Sequence, residues 1–572
     1  MPKRQYEVLP GGHGSRLKIN ARGRAVLRNA RINRGTAFTP EERDKLRLIG
    51  VLPTNVTPLE AQLRRAYGRF QKAETPLEKF AYLQALRERN TVLFYRLLSD
   101  HLPEMMPIVY TPTIGEAIKE FSLWYQAVNA VFLTIDQPEL VERGLRSSEH
   151  GPDDIDLLIV TDSEGILGIG DQGVGGIQIC MGKKSLYTAA AGIDPDRMLA
   201  VVLDVGTDNL GLLNDELYMG ERHARVRGPR YDEFIETFVA AVSKVYPHAM
   251  LHWEDFGADN AHRLLERYRD RICTFNDDIQ GTAAVVASAI LAGVKGRRER
   301  LRDQRFVIHG GGTAGIGVAD LLVDLLLKDG LTEAEARDRF WVTSSRGLVT
   351  DDFTQKFRDF QRPYARSVGE LADWEVDQLG HYMLADIVRN VHPTVLIGTS
   401  GQPGSFTEEI VRDLAAHVER PMILPLSNPT ALAEARPSDL LTWTDGRAMI
   451  ATGSPFAPVV YKSTTYNIAQ ANNALVFPGI GLGVAVCRAS RVTDAMVAAS
   501  AEAVASLSRV QIRGDSLLPD ISHLRRVSST VALAVAAAAE EDGVAQRPLT
   551  DPVEEVFEAM WQPVYPELII ED

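Results

Sequence analysis

The stretch RFVIHGGGTAGIGVADLLVDLL, residues 305–326, restricts the possible fold more than any other part of this chain. A short apolar run of β-type residues enters Gly310-x-Gly312-x-x-Gly315 and leaves into a segment of helical period. Glycines at this spacing permit a tight turn and a close approach of backbone to ligand. The N-terminus of the following helix offers N–H groups and the positive end of its dipole to a pyrophosphate. Strand, glycine turn and helix in this order predict a dinucleotide-binding unit.

Other short apolar runs frame it: DLLIV, MLAVVLDV, AMLHW and ICTF before, RFWVTS, TVLIG and MILPLS after. Most are closed by Gly, Asp, Ser or Asn, as parallel strands covered on both faces would be. The chain is therefore expected to be α/β, with its chemistry at the carboxyl ends of strands. Residues 39 to about 105 have helical period instead, opened by Thr39, Pro40 and Glu42 in capping-box register. At 572 residues the chain has room for about three to five units. The segment VALAVAAAAEEDG reads as a buried helix, and no apolar run of transmembrane length is expected.

Composition narrows the partners. With 62 Lys and Arg against 76 Asp and Glu, a formal charge of -14, nucleic acid is not expected to bind, and small molecules and other subunits are. Cys180, Cys273 and Cys487 show neither C-x-x-C spacing nor an even count, so a reducing, cytoplasmic setting fits. The basic first 34 residues superficially resemble a transit peptide, but the PGGHGS turn and the absence of a secretory apolar region oppose that reading.

Where the strand RFWVTSSRG ends, a carboxylate would bind the ribose 2′-hydroxyl of NAD. The chain offers Ser344, Ser345 and Arg346. Without a repelling acid, and with a guanidinium near, NADP is favoured over NAD unless Arg346 is simply solvated. Thr332 and Glu335 predict an extra capped helix just before this strand. Gly398, Gly401 and Gly404 either line the same cleft or turn the chain.

Two acidic pairs stand where apolar runs end, Glu254 and Asp255 in HWEDFG and Asp277 and Asp278 in FNDDIQGT. Adjacent side chains on a strand point apart, so Glu254 and Asp255 can converge only once the strand has ended. Carboxylates without Cys or clustered His suit a hard divalent cation, Mg²⁺ or Mn²⁺, with Glu254, Asp255 and Asp278 as ligands. Helix capping is the alternative. Lys183, expected at the start of a helix after a glycine-rich loop, is a candidate base with a lowered pKa, or an ordinary solvated lysine. Tyr110 in PIVYTPTIGEA is a proton donor or a core aromatic.

The motifs NRGTAFTPEER, MPIVYTPTIGEA, ILGIGDQG, LDVGTDN, WEDFG, TFNDDIQGT, PLSNPT, ATGSPFAPV and QANNALVFPGIGLG occur in this order between residues 33 and 483. Together they resemble the malic enzymes of the large type. The resemblance implies a helical N-terminal domain, residues 1–129, and a split central parallel-sheet domain, 130–276 continued by 467–540. It further implies an inserted Rossmann-like NAD(P)-binding domain, 277–466, a C-terminal segment, 541–572, and assembly as a homodimer or homotetramer. It implies oxidative decarboxylation of (S)-malate to pyruvate and CO₂ with NAD or NADP and Mn²⁺ or Mg²⁺. By the same likeness Glu254, Asp255 and Asp278 hold the metal, Lys183 takes the hydroxyl proton, Tyr110 protonates the enol, Asp277 pairs with the lysine, and Asn428 and Asn473 contact substrate and cofactor.

Two positions depart from the pattern. Relatives usually carry Asp-Gly-Glu-Arg-Ile-Leu-Gly where this chain has Gly165 in place of the arginine, a loss of one charge-assisted hydrogen-bond donor. Asp-Ser-Glu-Gly there, with TAAAGIDP, is similar to malolactic enzymes, which turn malate into lactate and CO₂ and retain NAD. Ser344 replaces an acid, which favours the malic reading through NADP. A non-catalytic metabolite sensor is the remaining alternative, opposed by the full set of catalytic residue types.

Overall fold

The computed structural model describes residues 5–9, 16–166, 168–352, 358–377 and 381–570. The PGGHGS turn, residues 10–15, lies outside them. The chain divides into two compact units: Met1–Phe256 with Val484–Ser490 and Gln546–Asp572, and Gly257–Gly483 with Arg491–Ala545.

In the first unit, local chemistry starts the helices. Thr39 and Thr75 each accept a hydrogen bond from the backbone N–H three residues on, and Glu42 and Glu78 accept one from the cap's own N–H, with Pro40 and Pro76 following the caps. The helices Pro40–Lys45, Leu59–Lys72, Pro76–Arg87, Thr91–Asp100 and Leu102–Val109 occupy the stretch of helical period. Their inward faces bury Phe70, Leu83, Phe94, Leu97 and Leu98.

The strands Ala130–Thr134, Met198–Asp204, Leu157–Thr161 and Met250–Trp253 follow side by side in this spatial order, all parallel. Every residue of the last three is buried, which is why they read as unbroken apolar runs rather than alternating ones. The helix Ile177–Ala191 packs against Leu157–Thr161 and Met198–Asp204 as well as against Thr91–Asp100 and Thr113–Lys119. All fifteen of its residues are buried, the signature of a core helix. It nonetheless carries Lys183 and Lys184.

Residues Arg16–Ile19 pair with Tyr6–Val8 and with Glu567–Ile570, and Leu17, Ile19, Val26 and Ile32 share one core cluster. From residue 16 onward, the basic segment that superficially resembles a transit peptide is part of this folded unit.

The second unit holds a sheet in the order Gly347–Leu348, Phe340–Ser344, Phe306–His309, Val395–Gly398, Met422–Pro425, Met449–Thr452 and Ala469–Gln470. All neighbours are parallel except the first pair. From Phe306–His309 the chain steps out to Phe340–Ser344, then returns to the other side at Val395–Gly398. That reversal opens a crevice at the carboxyl ends of the two central strands, the place where such sheets bind ligands. The capped helix Glu333–Arg337, with its Thr332–Glu335 box, stands where expected. The strand Met449–Thr452 and the hairpin Val459–Tyr461 with Thr464–Tyr466 were not foreseen.

The helix Leu524–Glu541 is buried through Val527, Val531, Val535 and Ala539, as expected, and packs on Asp494–Leu507. One correction concerns apolar length: Asp277–Arg297 is long and apolar enough to cross a membrane, but 78% of its most apolar window is buried inside the protein, as in a core helix.

Candidate active site

In the first unit the chemistry gathers where Met250–Trp253 ends. His252 and Glu254, two residues apart, can share one face. Asp255 takes a φ of 54°, which turns the backbone directly beyond the strand. Glu254 and Asp255 are 3% and 4% exposed. Glu254 Oε1 lies 3.0 Å from Lys183 Nζ, and its Oε2 lies 2.9 Å from His252 Nε2. The Tyr187 hydroxyl lies 2.7 Å from His252 Nδ1. With that hydroxyl donating to Nδ1 and Nε2–H donating to Glu254, a neutral imidazole has both nitrogens satisfied. Lys183 and Tyr187 are four apart on Ile177–Ala191, so one helix face presents both.

Tyr110 is buried, and Lys183 Nζ stands 5.5 Å from the centre of its ring. A Cβ on Gly182 would come within 2.9 Å of the Val109 carbonyl oxygen and 3.3 Å of the Tyr110 ring. Glycine there lets the helix close on the segment bearing Tyr110. The expected position of Lys183 at a helix start is corrected: the turn Gly173–Gly176 comes first, the helix begins at Ile177, and Lys183 lies in its second turn.

Glu254 and Asp255 are both buried, with carboxylate oxygens within 4.8 Å of each other, and burying charge in this way favours a cation between them. An oxygen-only pair at a strand end suits a hard divalent ion in its donor chemistry. Gly165 N–H donates to the Asp255 carbonyl at 2.9 Å. The loop carrying Gly165 is braced by the buried Arg225, whose Nη2 donates to Asp171 Oδ1 at 2.8 Å and to the Asp162 carbonyl at 3.0 Å.

In the second unit, Asp277 and Asp278 open the turn Asp277–Gly281 directly after the strand Thr274–Asn276. Asp277 is fully buried. Its carbonyl and its Oδ2 both accept from Asn473 Nδ2 at 3.0 Å, so these two predicted residues meet. A Cβ at Gly281 would stand 2.0 Å from Asp277 Oδ1. Asn428 Oδ1 accepts from Ser454 Oγ at 2.6 Å, joining the PLSNPT and ATGSPF motifs.

The glycines of the 310–315 turn divide their tasks. Gly310 has a φ of 113°. A Cβ at Gly315 would lie 2.3 Å from the Gly310 carbonyl oxygen, whereas one at Gly312 would meet no atom of the described residues within 4 Å. Gly315 thus lets the helix pack on the turn, and Gly312 leaves open space. Thr399 Oγ1 donates to the Gly310 carbonyl at 2.6 Å, tying the two strands across the crevice. Ser344 Oγ donates to the Gly347 carbonyl at 3.3 Å; Arg346 is exposed.

Three groups escaped sequence reasoning: His252, Arg225 and Glu434. Glu434 is fully buried and accepts from Ser400 N at 2.9 Å, Ser400 Oγ at 3.0 Å and Ser427 Oγ at 2.5 Å. It ties the loops that follow Val395–Gly398 and Met422–Pro425. A Cβ at Gly398 would lie 2.6 Å from its carboxyl carbon, so Gly398 serves close packing while Gly401 and Gly404, with φ of 65° and 70°, turn the chain. His252 stood in a quoted motif, and an i, i+2 pairing with Glu254 was its signal. Glu434, a single acid among alanines, had none.

A Rossmann-like unit in one chain with a second parallel-sheet unit, whose core holds a lysine–carboxylate pair, defines the class: a nicotinamide-linked oxidoreductase of α/β architecture. The family model "Malic enzyme, N-terminal domain" matches residues 87–269, and "Malic enzyme, NAD binding domain" matches 279–540. NAD-dependent malic enzyme 3 of Bacillus subtilis is 52% identical over 98% of this chain and 99% of its own length. The NAD-dependent malic enzyme of Sodalis glossinidius is 47% identical over 96% and 97%. The chain belongs to the malic enzyme family. Among solved structures, the Entamoeba histolytica malic enzyme shares the fold with a TM-score of 0.56 at 19% identity over 90% of this chain and 91% of that one. The Pyrococcus horikoshii malic enzyme does so with 0.53 at 21% over 80% and 89%.

Proposed function

We propose that this protein oxidises (S)-malate with NAD and decarboxylates it to pyruvate and CO₂, using Mn²⁺ or Mg²⁺. The observation that carries the reading is the buried Lys183–Glu254 pair beside Tyr110. Relatives that align over nearly the whole chain are named NAD-dependent malic enzymes, which outweighs the NADP preference inferred from Ser344 and Arg346. In this reading Glu254, Asp255 and Asp278 hold the cation. When bound, it supplies polarisation of the C2 hydroxyl and stabilisation of negative charge as CO₂ leaves.

The chain's own residues manage the protons. Lys183, in its uncharged form, accepts the C2 hydroxyl proton as hydride passes from C2 to the nicotinamide. After CO₂ departs, Tyr110 protonates C3 of the enolate, and the proton gained by Lys183 restores Tyr110. Asp277 orients the lysine, and Asn473, bonded to Asp277, joins Asn428 in fixing substrate and nicotinamide. Gly310, Gly312 and Gly315 admit the pyrophosphate. A homodimer or homotetramer in the cytoplasm is the proposed working state, with residues 277–466 serving the cofactor and 1–129 serving assembly.

Gly165 favours a second reading, malolactic turnover, because the arginine that would grip a carboxylate or the cofactor is absent. The test is to supply malate, Mn²⁺ and either NAD or NADP, follow reduced nicotinamide by absorbance, and quantify pyruvate and lactate. Pyruvate with equimolar NADH supports the proposal. Lactate without NADH replaces it with the second reading, and neither product removes both.

A further inference from the structure

A cavity of about 300 Å³ in the first unit is lined by Arg28, Arg31, Arg87 and Lys184 together with Glu88 and Asp196. Its charges do not balance. Arg31 pairs with Asp194 at 2.6 Å and with Asp196 at 3.2 Å, and Asp196 also accepts from the Tyr6 hydroxyl at 2.5 Å. Glu88 pairs with Arg87 at 3.2 Å. Both lining acids are thus engaged by arginines already present. Lys184 is 6% exposed, and its ammonium has no hydrogen-bond or ion-pair partner among the described residues. One buried Nη atom each of Arg31 and Arg87 also lacks an acceptor among the described residues, and Arg28 is exposed.

A lysine buried without a partner is rare, because desolvation of the ammonium is repaid only by an anion or an acceptor. Here that desolvation pulls the Lys184 pKa down to about 8, with Asp194, Asp196 and Glu88 opposing the shift and Arg87 adding to it. Cations line the cavity while its two carboxylates are already engaged by Arg31, Arg87 and Tyr6. The complement to such a lining is a compact, multiply charged oxyanion.

We propose that this cavity is a binding site for a small dianion of the orthophosphate or short-dicarboxylate type, gripped by Lys184 and Arg87 with Arg28 as a further cation of its lining. The site is separate from the Lys183 centre, although Lys184 is the next residue on the same buried helix. An effect of occupancy on catalysis would rest on the function proposed above; binding itself does not.

The test uses the full chain saturated with NAD, so that the dinucleotide turn is not open to phosphate. Inorganic phosphate and, separately, succinate are titrated at constant ionic strength, with the shift in melting temperature as readout, for the wild type, Lys184→Met and Arg28→Glu. Expected is a saturable shift in the wild type whose apparent Kd rises roughly tenfold or more in both variants. Whichever anion acts at the lower concentration identifies the source. No shift in the wild type, or an unchanged Kd in either variant, overturns the proposal. Arg28 is exposed, so its variant decides the matter should Lys184→Met fail to fold.

Discussion

Lys183 Nζ and Glu254 Oε1 are 3.0 Å apart, with side chains 1% and 4% exposed. A pair so buried is an arrangement for function more than for stability, since desolvation of both ions offsets most of their attraction. Removing one partner leaves the other charged in an apolar setting. Lys183→Ala is expected to lower kcat by about 10²–10⁴-fold through loss of the base and to destabilise the protein by about 3–5 kcal/mol. Adding Glu254→Gln should return part of the stability and none of the activity, as steady-state kinetics and denaturant unfolding will show.

His252 holds the second oxygen of Glu254. If Glu254 is a metal ligand, His252→Ala should raise the Mn²⁺ concentration for half-maximal activity roughly 10–100-fold, the usual effect of losing a hydrogen-bond partner behind a ligand. Tyr187→Phe, one step further out, should do less. Equal Mn²⁺ requirements in all three proteins would remove the proposed role of Glu254.

Gly312 and Gly315 separate ligand space from packing space. Gly312→Ala places a methyl where no atom of the described residues lies within 4 Å, so the melting temperature should hold while the NAD Kd rises, by about tenfold or more if the pyrophosphate sits there. Gly315→Ala forces a methyl to 2.3 Å from the Gly310 carbonyl oxygen and should lower the melting temperature as well. Thermal unfolding alongside NAD titration distinguishes the two.

Stability should depend on pH through Asp324, whose pKa burial raises from 3.8 to about 6, with the nearby Asp494 and Asp320 adding to it. The folded state favours the protonated acid. Stability therefore falls as pH climbs through the interval between the two values and stays lowered above it. Asp324→Asn should be more stable than wild type at pH 7 by about 1 kcal/mol after allowance for solvent screening, with the difference gone at pH 3.5. Chemical unfolding at both pH values checks the sign.

What the sequence disclosed was local. The 305–326 stretch placed its strand, turn and helix because all three lie within one short segment, and Glu254 and Asp255 announced a strand end by following AMLHW. Lys183 was found but misplaced within its helix, since glycines at 173, 175 and 176 read as loop although they form a tight turn leading into Ile177. Glu434 with Ser400, and Arg225 with Asp162 and Asp171, depend on residues dozens of positions apart. No period or spacing signals such pairings.

Under the proposed function, the lysine–carboxylate centre couples loss of CO₂ from malate to reduction of NAD. The most direct measurement is a stoichiometry: NADH, pyruvate, lactate and CO₂ counted together from one reaction of purified protein with malate, NAD and Mn²⁺, and again after chelation of the metal. Pyruvate, CO₂ and NADH are expected in equal amounts, all abolished by the chelator. Malate consumed at an unchanged rate in the presence of chelator, or converted to lactate with no NADH, would contradict it.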